Sequence, residues 1–253
     1  MSRRRGLFRG SSNPMMNEQM FQKAGQQTLD GHFLDVGEKM TVQGAINKSF
    51  ILGAIMLATA LVGYMMPSPL FMWGGAIAGL IVVIIAARNP QRSGTLAPIY
   101  AALEGLFVGA VSAIYASFFD GIIFQAVTLT MAVFFMMLFI YKTRIIKVTS
   151  KLRAGVVMAT GAVLLVYILN FVLSLFGVNI PFLHEGGTLG IGISLVIIGI
   201  ASMNLLLDFD NFEKGEKYGA PSYMEWFSAM GLLITLVWLY IEILRLIALL
   251  SRD

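Results

Sequence analysis

Five acidic side chains lie in or beside long apolar stretches of this sequence, where an ionised carboxylate is costly. An ionisable group placed in hydrocarbon is by default a functional candidate that needs a partner. Two carboxyl groups that approach each other in a low-dielectric core titrate as a coupled pair, so such a pair would respond to pH. When ionised, it would also offer hard oxygen ligands to a divalent cation such as Ca²⁺. The five candidates are Glu104, Asp208, Asp210, Glu225 and Glu242.

Glu104, Asp208 and Asp210 are predicted to lie toward the same side of a membrane. Glu104 is about eight residues into its apolar run, or roughly 12 Å from the nearer end by helical rise. Asp208 and Asp210 close a later run, so they either belong to a buried site or mark the point where a helix meets water. We treat all three as candidates for an ion pathway or a pH sensor.

Two arginines could pair with these carboxyl groups. Arg245 follows Glu242 by three residues, a spacing that allows a structural salt bridge on one helical face. Arg88 closes the second apolar run. There it would either snorkel to the interface as a topology signal or act as a latch on a buried carboxylate.

Seven apolar runs must position these residues, and each is close to the ~20 residues that cross a ~30 Å hydrocarbon layer as a helix. A backbone in lipid has to satisfy its own hydrogen bonds, so runs of this length predict helices. The sequence therefore predicts an all-α membrane protein with seven transmembrane helices. The predicted spans are 50–66, 70–87, 96–118, 122–141, 154–176, 188–207 and 226–250.

Glycines four residues apart occur in the second and third spans, as Gly75 with Gly79 and Gly105 with Gly109. Small residues at this spacing allow helix backbones to approach closely. We expect these glycines to serve packing, with a gating hinge as the alternative.

Lysine and arginine cluster at alternate gaps between the runs, which predicts the orientation of the chain. The first, third and fifth gaps contain neither residue. The sequence thus predicts a cytoplasmic N-terminus and an outer C-terminus. The basic residues lie near the N-terminus (Arg3, Arg4, Arg5, Arg9) and in the second (Arg88, Arg92), fourth (Lys142, Arg144, Lys147, Lys151, Arg153) and sixth (Lys214, Lys217) gaps.

The predicted domain organisation is a polar cytoplasmic extension over residues 1–47, disordered in its first part, and a transmembrane domain over 48–253. Within the extension, apolar residues interspersed with charges over 33–46 predict a short helix at the membrane interface. The polar start is not followed by an apolar segment of the kind found in cleaved signal peptides.

Composition narrows the class of function. The chain is 57% hydrophobic and only 13% charged, against roughly 25% charged in a soluble domain. The basic residues lie between the apolar runs, so they indicate membrane topology and not nucleic-acid binding. The chain has no cysteine, and no Walker A, HExxH, GxSxG or EF-hand spacing is present, so we predict neither an enzyme nor a bound cofactor.

Three segments resemble the Bax inhibitor-1 family of membrane proteins, and the chain is identified as a bacterial member. The third span contains Tyr-Ala-Ala-Leu-Glu-Gly over 100–105, similar to the family's Glu-Gly signature. The sixth ends in Ser-Met-Asn-Leu-Leu-Leu-Asp over 202–208, and the seventh contains Leu-Tyr-Ile-Glu over 239–242 with Arg252 downstream. The resemblance extends from about residue 50 to the C-terminus.

The resemblance implies a bundle whose last helix is central between two three-helix groups, and a pH-sensitive Ca²⁺ leak across the bacterial inner membrane. It implies a pH-sensing carboxyl pair, which by motif would be Asp208 and Glu242, the same two groups that would hold Ca²⁺. It also implies a second-helix arginine latch, for which Arg88 is the candidate. Ca²⁺ would be the transported ion.

Helical rise argues against contact between Asp208 and Glu242, because the second would lie near the outer side. Glu104, at the depth of Asp208, and Glu225, near the level of Asp210, are then the alternative partners.

Two other functions stay open. One is a non-conducting regulator that binds a membrane protease or another membrane protein, and the other is a proton-coupled carrier for a different solute.

Overall fold

The computed structural model describes residues 38–176 and 187–251. The described part contains seven helices that are long and apolar enough to cross a membrane, and no strand. The all-α, seven-span prediction is therefore confirmed. The helices are α1 (Val42–Met65), α2 (Gly75–Arg88, preceded by a π-helical turn at Leu70–Gly74), α3 (Ser93–Ala116, preceded by a 3₁₀ turn at Pro90–Arg92), α4 (Ile122–Lys142), α5 (Ser150–Leu175), α6 (Thr188–Lys217) and α7 (Tyr223–Leu250).

Helix α7 is the centre of the bundle. Of its 18-residue apolar window 67% is buried, against 6% for α5. It packs against α1, α3, α4 and α6, while α1, α2 and α3 pack together on one side and α6 joins α4 and α5 on the other. The expected arrangement, a central last helix between two three-helix groups, is confirmed.

Two helix boundaries differ from the prediction in ways that matter for the site. Helix α6 continues to Lys217, ten residues past the predicted end at 207, because its last turns alternate polar residues with buried ones such as Phe209 and Phe212. Helix α1 begins at Val42, eight residues before the predicted start at 50. A short interfacial helix was predicted over 33–46. Residues 42–46 are helical but form the start of α1, residues 38–41 have no helical structure, and 33–37 lie outside the described residues.

Glycines let α1, α2 and α3 pack backbone to backbone. A Cβ on Gly105 would overlap Thr59 and the carbonyl of Met56, and one on Gly109 would overlap the carbonyl of Ala60. A Cβ on Gly75 would lie 2.8 Å from the Leu103 carbonyl oxygen. The expectation that these glycines serve close packing is confirmed.

The chain before α1 is joined to the turn between α6 and α7. Met40 donates its backbone N–H to Ala220 at 2.7 Å, and Ser222 donates to the Glu38 carbonyl at 2.8 Å. We call residues 38–42 the N-terminal seam. It lies at the end of the bundle that also carries the lysines and arginines of the turns after α2 and α4, and we call this the basic end.

Candidate functional site

Asp208 lies in the interior of α6 and is completely buried. Neither of its carboxylate oxygens has a hydrogen bond of ordinary distance and angle to a described residue. The Thr235 hydroxyl of α7 acts on it as a hydrogen-bonding group, and the Arg153 guanidinium of α5 acts on it through its charge. A buried carboxyl with so few donors is expensive, which makes Asp208 a functional candidate. The sequence left open whether Asp208 marks the point where the helix meets water. That interpretation is wrong, because the residue is buried and the helix continues to Lys217.

Asp210 lies two residues nearer the basic end and is bound by two cations. The Arg153 guanidinium forms an ion pair with one carboxylate oxygen, and the Lys214 ammonium lies 3.1 Å from the same oxygen. Arg153 also donates to the side-chain oxygen of Asn211 at 2.9 Å. The arginine side chain is only 3% exposed, so this is a buried charge cluster and not a surface ion pair.

Glu242 lies in a second cluster, toward the opposite end of α7. It accepts a hydrogen bond from the Tyr167 hydroxyl of α5, and Arg245 donates to the same hydroxyl at 3.1 Å. The predicted pairing of Glu242 with Arg245 is confirmed, with an N to O distance of 3.6 Å. Tyr167 thus bridges an acidic and a basic group that are both largely buried.

The structure does not bring Asp208 and Glu242 together. Asp208 is opposite Thr235, and Glu242 follows Thr235 by seven residues, which is two helical turns or about 10 Å. The partners of Glu242 are Tyr167 and Arg245. The carboxyl pair that the resemblance implies is therefore replaced by a carboxyl and a hydroxyl at the level of Asp208.

Glu225 is held by the chain around the start of α1. It pairs with Lys48, and it accepts hydrogen bonds from the Thr41 backbone N–H at 2.8 Å and from the Thr41 hydroxyl at 3.0 Å. Gly44 leaves room for the carboxylate, since a Cβ there would overlap it. Glu225 is thus a partner of the N-terminal seam and not of Asp210.

Glu104 and Arg88 lie apart from these clusters. Glu104 is partly buried between α2 and α3, where a Cβ on Gly79 would lie 2.9 Å from its carboxylate. Arg88 is exposed at the end of α2. For neither residue is a hydrogen bond or ion pair present among the described residues, so the structure shows no latch between Arg88 and a carboxylate.

A row of polar residues on α5 connects the two clusters. Arg153, Thr160 and Tyr167 follow each other at intervals of seven, which places them on one face of the helix. Each contacts a polar group of α6 or α7. Arg153 contacts Asp210 and Asn211 of α6. Thr160 accepts a hydrogen bond from the Asn204 amide of α6 at 2.8 Å, and Tyr167 contacts Glu242 of α7. We call this row, with its partners on α6 and α7, the polar seam. From Arg153 to Tyr167 it extends about 21 Å by helical rise.

Sequence reasoning missed the polar seam. Arg153 was one of five cations in a predicted gap and was interpreted as a topology signal, and Thr160 and Tyr167 were parts of an apolar run. The signal that was present is the interval of seven between three residues that all form hydrogen bonds. Lys48 and Thr41 were missed because they contact Glu225, which is more than 170 residues away.

Open grooves flank the contact between α5 and α6. One, of about 900 Å³, lies near the basic end beside Gly155 and Ser202, and another, of about 740 Å³, lies beside Gly192 and Tyr167. No group of three or more acidic, histidine or cysteine side chains that could hold a metal ion occurs in residues 38–176 and 187–251. Asp208 and Glu242 accordingly do not form a preassembled Ca²⁺ site.

The seven helices and the buried charges between them define a multi-pass α-helical membrane protein. The sequence matches the family described as Bax inhibitor 1 like over residues 13–252, which is nearly the whole chain. The chain belongs to this family. No curated protein matches it.

Proposed function

We propose that this protein is a pH-sensitive leak pathway for Ca²⁺ in a bacterial inner membrane, with the N-terminus in the cytoplasm and the path along the polar seam. The observation that supports the proposal most directly is Asp208, a completely buried carboxyl near the Thr235 hydroxyl and the Arg153 guanidinium, whose oxygens make no hydrogen bond of ordinary geometry to the described residues. A protein that needed only stability would carry an apolar residue at this position.

The polar seam supports a path for an ion. Conduction needs polar groups that follow each other across the hydrocarbon layer, and the seam offers carboxylate, amide and hydroxyl oxygens at intervals of about two turns of α5. These are the oxygen ligands that Ca²⁺ prefers. The same helices leave grooves beside the seam, so α5 has room to move relative to α6.

Protonation supplies the pH response in this proposal. An ionised Asp208 attracts a cation into the seam, whereas a protonated Asp208 does not. A proton and a cation therefore compete for the same oxygens, and flux should be greater at alkaline than at acidic pH. Glu242 is a further group whose protonation would affect the path, because it lies in the polar seam. Glu104 is tested with it, although it lies between α2 and α3, away from the seam.

Ca²⁺ flux into dye-loaded proteoliposomes tests the proposal. The purified chain is compared with Glu104→Gln, Asp208→Asn and Glu242→Gln at acidic, neutral and alkaline pH. A pH-dependent flux that Asp208→Asn makes independent of pH would support the leak. Folded protein that conducts no more Ca²⁺ than empty liposomes at any pH would overturn it and favour a non-conducting regulator. A proton flux driven by another solute would favour a carrier.

A further inference from the structure

Asp208 lies beside a cluster that contains charges of both signs. Asp210 is paired with both Arg153 and Lys214, and the charge of Arg153 also acts on Asp208. The group that faces Asp208 from α7 is the uncharged Thr235. Around the same cluster, α4 contributes Tyr141, which is affected by Asp210 and is hydrogen-bonded to Glu213.

Arg153 makes contacts that a bound metal cation would otherwise make. Its guanidinium binds the carboxylate of Asp210 and the amide oxygen of Asn211, and its charge acts on Asp208. Carboxylate and amide oxygens are Ca²⁺ ligands. A divalent ion at this level of the seam would have to share these oxygens with the guanidinium or replace it.

We infer that Arg153 is a tethered cation that occupies the ion-binding position at the basic end of the polar seam and competes there with the permeating divalent cation. The inference rests on the proposed function and names the residue that regulates it. Arg153 is a positioning residue in this role: it controls access to the oxygens of Asp208, Asp210 and Asn211.

The packing of α5 allows Arg153 to leave. Helix α5 has the least buried apolar window of the seven, at 6%, and its main helix contact is with α6. The groove of about 900 Å³ beside Gly155 and Val156 begins within one turn of Arg153. A tilt of α5 would therefore withdraw the guanidinium without opening the core around α7.

Calorimetric titration of the purified full chain with Ca²⁺ at alkaline pH tests the inference without relying on flux. Arg153→Gln should bind Ca²⁺ at least about tenfold more tightly than the wild type, because a unit positive charge next to the site has been removed. Lys151→Gln is the matched control, an exposed cation two residues away on the same helix, and should bind like the wild type. Adding Asp208→Asn to Arg153→Gln should abolish the gain.

Unchanged Ca²⁺ affinity in folded Arg153→Gln would overturn the inference, as would an equal gain in Lys151→Gln. If Arg153→Gln does not fold, Arg153→Lys carries the test. It keeps the charge but cannot reach both acceptors at once, so a smaller gain of about threefold is expected, and no gain overturns the inference. Tighter binding without flux in any variant would support the role of Arg153 and reject the leak. Ca²⁺ flux in the wild type, together with an unchanged Ca²⁺ affinity in Arg153→Gln, would support the leak and reject the role of Arg153.

Discussion

Asp208 of α6 faces Thr235 of α7, while Glu242 lies two helical turns further along the same face of α7. These two acidic side chains therefore lie at different levels along the central helix and do not form one pair. A cation that followed α7 would meet them in succession.

Asp208→Asn is expected to abolish the pH dependence of Ca²⁺ flux and to leave the fold intact, because asparagine has nearly the same shape but does not ionise. Flux through reconstituted protein across the pH range is the measurement. Asp120→Asn, in an exposed turn at the end of the bundle opposite the basic end, should keep the wild-type profile. A wild-type pH response in Asp208→Asn would show that another group is the sensor.

Gly44→Ala is expected to lower the thermal stability of the purified protein, by about 1–3 kcal/mol of unfolding free energy. The new methyl group would overlap the Glu225 carboxylate and separate it from Thr41 and Lys48. Gly53→Ala is the control in the same helix, since a Cβ there meets nothing within 4 Å. Equal melting temperatures for the two variants would mean that the N-terminal seam contributes no stability.

Tyr167→Phe is expected to destabilise the protein by roughly 1–3 kcal/mol, because it removes the hydroxyl that bridges buried Glu242 and Arg245. The cost arises from polar groups that lose a partner and stay buried. Tyr64→Phe, at an exposed tyrosine, should melt within experimental error of the wild type. A neutral Tyr167→Phe would indicate that water or another group replaces the hydroxyl.

Gly109→Ala is expected to disturb the contact between α1 and α3, where the added Cβ would overlap the Ala60 carbonyl. Overpacking of this kind costs about 1–3 kcal/mol. Gly161→Ala, on the sparsely packed α5, meets nothing within 4 Å and should be neutral or slightly stabilising. Thermal melting of both variants is the measurement, and a stable Gly109→Ala would contradict the close approach.

The orientation of the chain is testable with single introduced cysteines. The chain contains no cysteine of its own, so none has to be replaced first. Phe118→Cys should react with a membrane-impermeant maleimide in intact cells, and Ile145→Cys should react only after lysis. The two positions are exposed in turns at opposite ends of the bundle. The reverse pattern would place the N-terminus outside.

Hydropathy was sufficient to predict the seven helices, since each apolar run must be helical in lipid. It placed the end of α6 at 207 because the next ten residues are polar in composition, although Phe209 and Phe212 pack inside the bundle. Composition does not distinguish a buried polar residue from an exposed one. The same limit made Arg153 look like a gap cation, when its burial depends on how α5 packs against α6.

The partners of the carboxyl groups were beyond the reach of the sequence for a related reason. Glu242 and Arg245 were predictable as a pair because they lie one turn apart on one helix. Tyr167 and Thr235 were not, because contacts between helices depend on rotation and depth, which the apolar runs leave open. Family resemblance suggested Glu242 for Asp208, and the described residues place Thr235 there instead.

The bond between Thr41 and Glu225 joins residues 184 positions apart, which has a consequence for biogenesis. The first helix leaves the ribosome long before residue 225 has been synthesised, so Lys48 has no Glu225 to pair with while the five helices α2 to α6 are made. The bundle therefore closes only when translation is almost complete. A chain truncated before α7 would leave Thr41 and Lys48 without the carboxylate that they share in the complete bundle.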